Sequence, residues 1–397
     1  MENKHSQINF SSEEQSLKEK FLNLKKASGS HSPSIFTFKQ KLPELDINVD
    51  ACFLSNPYAT DLFLKYFTEE IISTGKIREL LEFYPSQNQV IAEILADFLK
   101  VDASQIFIGN GAIEIIQAVI HNFVEKKILI NIPTFSSYYE FVKPGIEVVY
   151  NNLKKSNEYR INVDEYVKIC EETKPDTIVL INPNNPDGGY IEHDAMHKLL
   201  ERLKWVNTII LDESFIHFAY ENDKFDQINS ADWVSKFPNL VIIKSMSKDF
   251  GIAGIRAGYA VMAKSRIDLM LQNGFLWNSN GLSEYFFRLY TRQDFANDYD
   301  KVRVRYIKET IDFIEKLKEI PGIKVYPGKA NFVMIELLIP GLTSFDFVTA
   351  LLVKHGIYVR TCNDKIGLEG EFIRMASRTA EENDYMVKSM KELLSDL

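Results

Sequence analysis

Residues 176–189 read DTIVLINPNNPDGG. From Thr177 to Ile181 every position is apolar or β-branched, and the run stops abruptly at asparagines, prolines and glycines that suit tight turns. A strand that covers one side of a sheet alternates polar and apolar residues; a strand without alternation predicts burial on both faces, between layers of helices. The same signature recurs outward from this stretch. KILIN at 127–131, NTIILDE at 207–213, LVIIKS at 240–245 and AGYAVM at 257–262 repeat it, and IFI at 106–108 and IEVVY at 146–150 are shorter versions. Helical spacing links Val90, Ile91, Ile94, Leu95 and Phe98, and again Ile113, Ile116, Val119, Ile120 and Phe123, with Gly109 and Gly111 at the turn between. A short helical candidate lies at 136–142. Strands alternating with helices predict an α/β domain on a mainly parallel sheet, over about residues 75–270.

The remainder has a different rhythm. Helical candidates at about 264–277 and 295–319 precede NFVMIELL (331–338), a helix through FDFVTALLVKHG (345–356), the strand-like EFIRMAS (371–377) and a final helix. This suits a smaller α+β domain. The expected organisation is residues 1–74 as an N-terminal arm and part of the small domain, 75–270 as the large domain and 271–397 as the C-terminal small domain. Residues 1 to about 30 are polar and read either as a flexible arm or as an initial helix.

Composition narrows the function classes. With 397 residues, two domains are expected. A formal charge of −9 argues against broad nucleic-acid binding while leaving room for a local basic pocket. Cys52, Cys170 and Cys362 are too scattered for a metal cluster or a disulfide framework, so no metal and a reducing compartment are expected. The polar start MENKHSQINFSSEEQS lacks the apolar core of a secretory signal, and no apolar run approaches the roughly 20 residues that cross a bilayer. The expectation is a soluble, cytoplasmic protein.

Chemistry concentrates in three loops. NPNNPDGG (182–189) and ESF, at the end of ILDESF (210–215), each follow a predicted buried strand, and SMSKDFGIAGIRAG (245–258) follows a third. In α/β proteins ligands commonly sit beyond the carboxyl ends of the strands, so the loops are predicted to meet over one cleft. A lone lysine is usually a solvated surface charge, because its ammonium is costly to bury. Lys248 stands instead between two hydroxyl residues and a glycine-rich turn, with Arg256 eight positions on.

In this order, GNGAIE (109–114), NPNNPDG (182–188), LDESF (211–215), SMSK (245–248) and GIRAG (254–258) resemble the fold type I enzymes that use pyridoxal 5′-phosphate. Within them the pattern is similar to the class I/II aminotransferases, on the branch of histidinol-phosphate aminotransferase and threonine-phosphate decarboxylase. The resemblance covers nearly the whole chain from about residue 50. It implies that Lys248 joins covalently to the cofactor and that Asp212 pairs with its pyridine nitrogen, favouring the electron-withdrawing pyridinium form. It places Asn185 beside the cofactor's phenolic oxygen and Tyr138 on the face of the ring. It assigns the phosphate to the backbone at Ala112 and Ile113, to Ser245 and Ser247, to Arg256, and to Tyr84 from a neighbouring subunit, which makes the active unit a homodimer. Arg374 corresponds to the arginine that receives a substrate carboxylate, a role suited to its planar fork. Arg360 lies toward the variable end of the substrate, and Asn56 and Tyr58 line the entrance.

Structural roles stay open for each of these residues. Asp212 is compatible with a helix cap, Asn185 with a turn, Ser245 and Ser247 with caps, and Ala112 and Ile113 with a plain strand-to-helix turn. Tyr84 and Tyr138 suit packing, the latter with Phe135 and Tyr139 in competition for its register. Arg360 and Arg374 suit ion pairs. Asn56 and Tyr58 suit turn formation, since SNPYAT (55–60) departs from the family's usual segment. A second departure is Phe215, where histidinol-phosphate aminotransferases carry tyrosine; threonine-phosphate decarboxylases tolerate phenylalanine there. The leading expectation is amino-group transfer between an amino donor and a keto acceptor. Decarboxylation is the principal alternative, followed by a noncatalytic cofactor-binding protein.

Overall fold

A computed structural model describes residues 8–29, 31–275 and 278–395. The first seven residues of the expected arm, and residues 276–277 at the end of the helical candidate 264–277, lie outside the described residues.

The chain divides into two compact units, one of residues 55–185 and 189–306, the other of residues 1–54, 186–188 and 307–397. The larger unit is built on seven strands: β1 (Ile106–Gly109), β2 (Lys127–Ile132), β3 (Glu147–Asn152), β4 (Thr177–Ile181), β5 (Thr208–Asp212), β6 (Leu240–Ser245) and β7 (Gly258–Met262). Their order across the sheet is β1-β7-β6-β5-β4-β2-β3. All pairs are parallel except those of β7, which runs antiparallel to both β1 and β6.

The missing alternation in the strands has a direct packing counterpart. Ile178, Leu180, Ile209, Leu211 and Ile242 join one buried cluster, whereas Val179, Ile181, Ile210, Val241 and Ile243 join another. Because side chains alternate in direction along a strand, these are the two faces of the sheet. The first cluster takes in helices α1 (Pro57–Phe67), α2 (Asn88–Leu99), α4 (Val163–Thr173), α5 (His193–Arg202) and α6 (Gly281–Tyr290). The second takes in α3 (Ala112–Phe123) through Ile115, Ile116, Val119, Ile120 and Phe123. Fully burying each of these side chains contributes about 1.5–3 kcal/mol, so an apolar strand is stable only between two helical layers.

Residues 271–306, placed by sequence rhythm with the small domain, lie in the larger unit. Phe286, Phe287, Leu289 and Tyr290 of α6, with Phe295 and Tyr299, pack into the first cluster. Phe250 explains the attachment: its ring lies 4.2 Å from that of Tyr299 and 5.0 Å from that of Phe286.

The smaller unit has a four-stranded antiparallel sheet ordered β10 (Arg360–Thr361), β11 (Glu371–Ala376), β9 (Phe332–Leu337), β8 (Ile323–Val325). The chain's N-terminal part belongs to it. Residues 12–27 form a helix capped by Ser11 and Glu14, and its Phe21 stacks on Phe345 at 5.6 Å. Val49–Asp50 pair with Ile357–Tyr358.

Candidate active site

The carboxyl ends of β4, β5 and β6 open into a cleft in the larger unit, lined by Ala112, Ile113, Ile116, Phe135, Ile181, Asn185, Asp212, Ser214, Phe215, Ser245, Ser247, Lys248 and Arg256. Eight residues expected at a cofactor thus surround one space.

Asp212 ends β5 and is buried. Its Oδ1 accepts from the Ser214 amide at 2.8 Å and its Oδ2 from the Tyr138 hydroxyl at 2.8 Å. Burial pushes its pKa up, and these two donors pull in the opposite direction. The carboxylate is thereby aimed and held ready for a cationic partner. Tyr138, expected on the face of the ring, does not line the cleft. It is fully buried, and its hydroxyl stays protonated as the donor to Asp212 because burial and that carboxylate raise its pKa well above the ordinary value. Of the aromatic residues in PTFSSYYEF it is Phe135, three residues earlier, that lies on the cleft wall, where Phe215 also stands.

Backbone bonds bring the loops together. The Asn182 amide donates to the Asp212 carbonyl at 2.9 Å, tying the ends of β4 and β5. Asn182 then bonds Ile191 in both directions, at 2.8 and 2.9 Å, which folds the following loop back and presents Asn185. Asn184 takes the Thr134 hydroxyl at 2.9 Å and donates to the Pro133 carbonyl at 3.0 Å, fixing the loop that carries Phe135.

Glycines decide the geometry where α3 begins. Gly111 precedes α3 with φ +81° and ψ 163°, and no side chain caps the helix start. The amides of Ala112 and Ile113 therefore lack the partner that a capping side chain supplies, as suits an anion. A Cβ on Gly111 would lie 2.4 Å from Arg256 Nη2, and one on Gly258 would lie 2.8 Å from the Ala112 amide nitrogen. Only glycine permits both approaches. Arg256 itself is held by the Ala253 and Asn110 carbonyls at 3.1 and 3.4 Å. Bare amides, two buried hydroxyls and an arginine fit a phosphate, and Asp212 fits a protonated ring nitrogen.

A layer beneath Lys248 escaped the sequence reading. Asp249 is fully buried, ion-paired with Lys244 and 3.4 Å from His217 Nδ1. Lys244 Nζ also donates to the Glu213 carbonyl at 3.2 Å, tying the loop after β5 to the one after β6. Burial raises Asp249 to about 6 and Glu213 to about 7, while it pushes His217 well down, leaving that ring neutral. The available signal was a lysine inside the apolar run LVIIKS, four residues before Lys248.

The other expected residues do not line this cleft, although the Asn56 amide donates to the Lys248 carbonyl at 3.0 Å. Asn56 is buried and caps α1, its Oδ1 accepting from the Tyr58 and Ala59 amides at 3.1 and 3.3 Å. Tyr58 accepts from Arg305 at 3.1 Å. Tyr84 is 84% exposed and does not line the cleft of its own chain. Arg360 and Arg374 belong to the smaller unit, on β10 and β11. Among the described residues, no group of three or more His, Cys, Asp or Glu could hold a metal ion, and no helix is long and apolar enough to cross a membrane.

A seven-stranded, mainly parallel sheet with lysine, carboxylate and phosphate cradle at its strand ends defines a pyridoxal 5′-phosphate-dependent enzyme of fold type I. The sequence model for "Aminotransferase class I and II" matches residues 54–390, and the chain belongs to that family. It is 58% identical over 96% of its length to the L-serine phosphate decarboxylase of Campylobacter jejuni, covering 98% of that protein. It is 50% identical over 94% of its length to the L-serine phosphate decarboxylase of Sulfurospirillum multivorans, covering 95%. A solved decarboxylase from Sulfurospirillum multivorans superposes with a TM-score of 0.93 at 48% identity, covering 97% of this chain and 98% of that one. The histidinol-phosphate aminotransferase of Clostridium acetobutylicum gives 0.75 at 29% identity, covering 88% and 100%.

These relatives overturn the expectation of amino-group transfer. The proteins that share half or more of the aligned residues are named as decarboxylases, whereas the histidinol-phosphate aminotransferase of Thermoanaerobacter shares 31%. A keto acceptor has no place in decarboxylation.

Proposed function

We propose that this protein is a pyridoxal-phosphate-dependent decarboxylase acting on L-serine phosphate. The observation that carries the reading is the 58% identity, extending over nearly the full length of both chains, to a protein named for that activity. In the reaction the bond from Cα to the carboxylate breaks, carbon dioxide leaves, and one proton takes its place, giving O-phosphoethanolamine.

The bound cofactor supplies an electron sink for the pair left on Cα. Lys248 Nζ would anchor the cofactor and would carry the proton delivered to Cα. The Asp212 carboxylate, oriented by Tyr138 and Ser214, holds the proton on the ring nitrogen. Asn185 would donate to the cofactor's phenolic oxygen and Phe135 would offer it an apolar wall, while Phe215 has no hydroxyl with which to donate to that oxygen. Ala112, Ile113, Ser245, Ser247 and Arg256 hold the phosphate through amides, hydroxyls and a guanidinium. Arg374 binds the substrate carboxylate. Asn56, a helix cap whose own amide donates to the Lys248 carbonyl, and Tyr58 beside it are assigned to the substrate entrance.

Tyr84, with Leu81 and Phe83 also at least 66% exposed on the same segment, is assigned to contact with a second copy of the chain. Full activity of a species that sedimentation velocity shows to be monomeric would remove that assignment. The reaction itself is tested by supplying the purified holoenzyme with L-serine phosphate and following carbon dioxide and O-phosphoethanolamine, with and without 2-oxo acids. Equal release with and without a 2-oxo acid is expected. Nitrogen transfer to the 2-oxo acid in place of carbon dioxide would refute the reading.

A further inference from the structure

Arg360 and Arg374 are direct cross-strand partners on β10 and β11. Side chains at opposed positions leave the same face of a sheet, and like charges there are destabilising. Arg360, Arg374 and the nearby Lys365 are each no more than 9% exposed. Lys25, in the last turn of the helix at 12–27, lies within electrostatic reach of Arg360 and Asp364. Four cations thus converge within the smaller unit.

Negative charge is scarce among them. The carboxylate that acts on all four is Asp364. It accepts from Arg360 Nη2 at 2.7 Å and lies 3.9 Å from Lys365 Nζ. Asp50, which acts on Arg374, turns its Oδ1 to the amides of Cys52 and Phe53 at 3.0 and 3.1 Å. Burial pushes the Cys52 and Cys362 thiols up, so they stay uncharged. Burial, then the charge on Arg360, lowers Lys25 to about 8, and burial lowers Lys365 and Arg374 as well. Only Arg360 is raised, by Asp364 against the effect of its own burial. Clustered buried cations are costly, and a bound multivalent anion offsets that cost.

Lys25 is firmly placed. Its helix is stapled by Phe21 on Phe345, by the Lys18–Asp346 ion pair at 2.5 Å and by Glu14 to Lys354 at 3.3 Å. We propose that Lys25 and Lys365, together with Arg360, form a phosphate-monoester site that selects a phosphorylated amino acid, leaving Arg374 for a carboxylate. This rests on the decarboxylase reading and deepens it: two ammonium groups flanking a guanidinium fork suit a dianion better than a second carboxylate.

The test uses holoenzyme, whose cofactor site is filled, and the variants K25M and K365M, which keep an apolar stem. For each, KM for L-serine phosphate and the inhibition constant of O-phosphoethanolamine are expected to rise roughly tenfold or more, with kcat within about twofold, because a charge-assisted bond to the phosphate is lost. Thermal melts confirm folding. Anion affinity of the wild type should weaken as pH rises through about 8, where Lys25 loses its proton, and K25M should lose that component. Unchanged KM and inhibition constants in both folded variants overturn the proposal. Should wild-type holoenzyme release no carbon dioxide from L-serine phosphate, the decarboxylase reading fails. The site is then judged by isothermal titration with inorganic phosphate, where equal affinity of wild type and both variants overturns it.

Discussion

Replacing Gly111 by alanine isolates the phosphate cradle. The backbone there has φ +81° and ψ 163°, a region that is essentially glycine-only and costs other residues about 1–3 kcal/mol. The new Cβ would lie 2.4 Å from Arg256 Nη2 and 2.9 Å from Cζ. Those atoms end a flexible side chain, so the guanidinium is expected to swing aside. Its charge-assisted hydrogen bonds are worth about 1.5–3 kcal/mol, which corresponds to roughly 10- to 150-fold weaker cofactor binding. Gly258 makes the contrast. A Cβ there would meet the Ala112 nitrogen at 2.8 Å, the Gly111 carbonyl carbon at 3.0 Å and the Lys244 oxygen at 3.1 Å, all of them backbone. G258A should therefore lower the melting temperature of the apoprotein more than G111A does. Equilibrium dialysis with pyridoxal 5′-phosphate, paired with calorimetric melts, separates the two effects. G111A binding the cofactor within twofold of wild type would show that Arg256 does not hold the phosphate.

Further perturbations probe the buried carboxylates. Y138F removes one of the two donors to Asp212, so the carboxyl already raised by burial rises further, and the acidic limb of kcat should move to higher pH. An unmoved limb would mean that Tyr138 only packs. Folded Glu213 holds its proton up to about pH 7 against an ordinary 4.5, so between these values the folded state binds more protons and stability falls as pH rises. E213Q should accordingly stabilise the protein by up to about 3 kcal/mol well above pH 7 and by little below about pH 4.5. An equal melting-temperature difference at both ends would refute the shift.

How much was legible in the sequence varies with the range of the interaction. That Lys248, Asp212, Asn185, Ser245 and Ser247 gather around one cleft was readable because each stands at or just past the end of an apolar strand, parallel strands bring those ends to one edge, and Arg256 precedes β7, whose antiparallel course starts at that edge. Which aromatic residue of PTFSSYYEF reaches the cleft wall was not: the segment offers Phe135, Tyr138 and Tyr139, and only a tertiary contact with Asp212 takes Tyr138 out of the cleft. The Lys244–Asp249–His217 layer was equally hidden, since its members acquire meaning only when buried against one another.

By itself, then, the order of residues determined the sheet, its two helical layers and the cofactor chemistry, because local periodicity and strand-end motifs are short-range properties. Tertiary structure decided where α6 packs, that Phe135 rather than Tyr138 faces the cleft, and that Lys25 comes within electrostatic reach of Arg360 from more than three hundred residues away. Those outcomes depend on burial and on long-range electrostatics, which are set only when distant segments exclude water together.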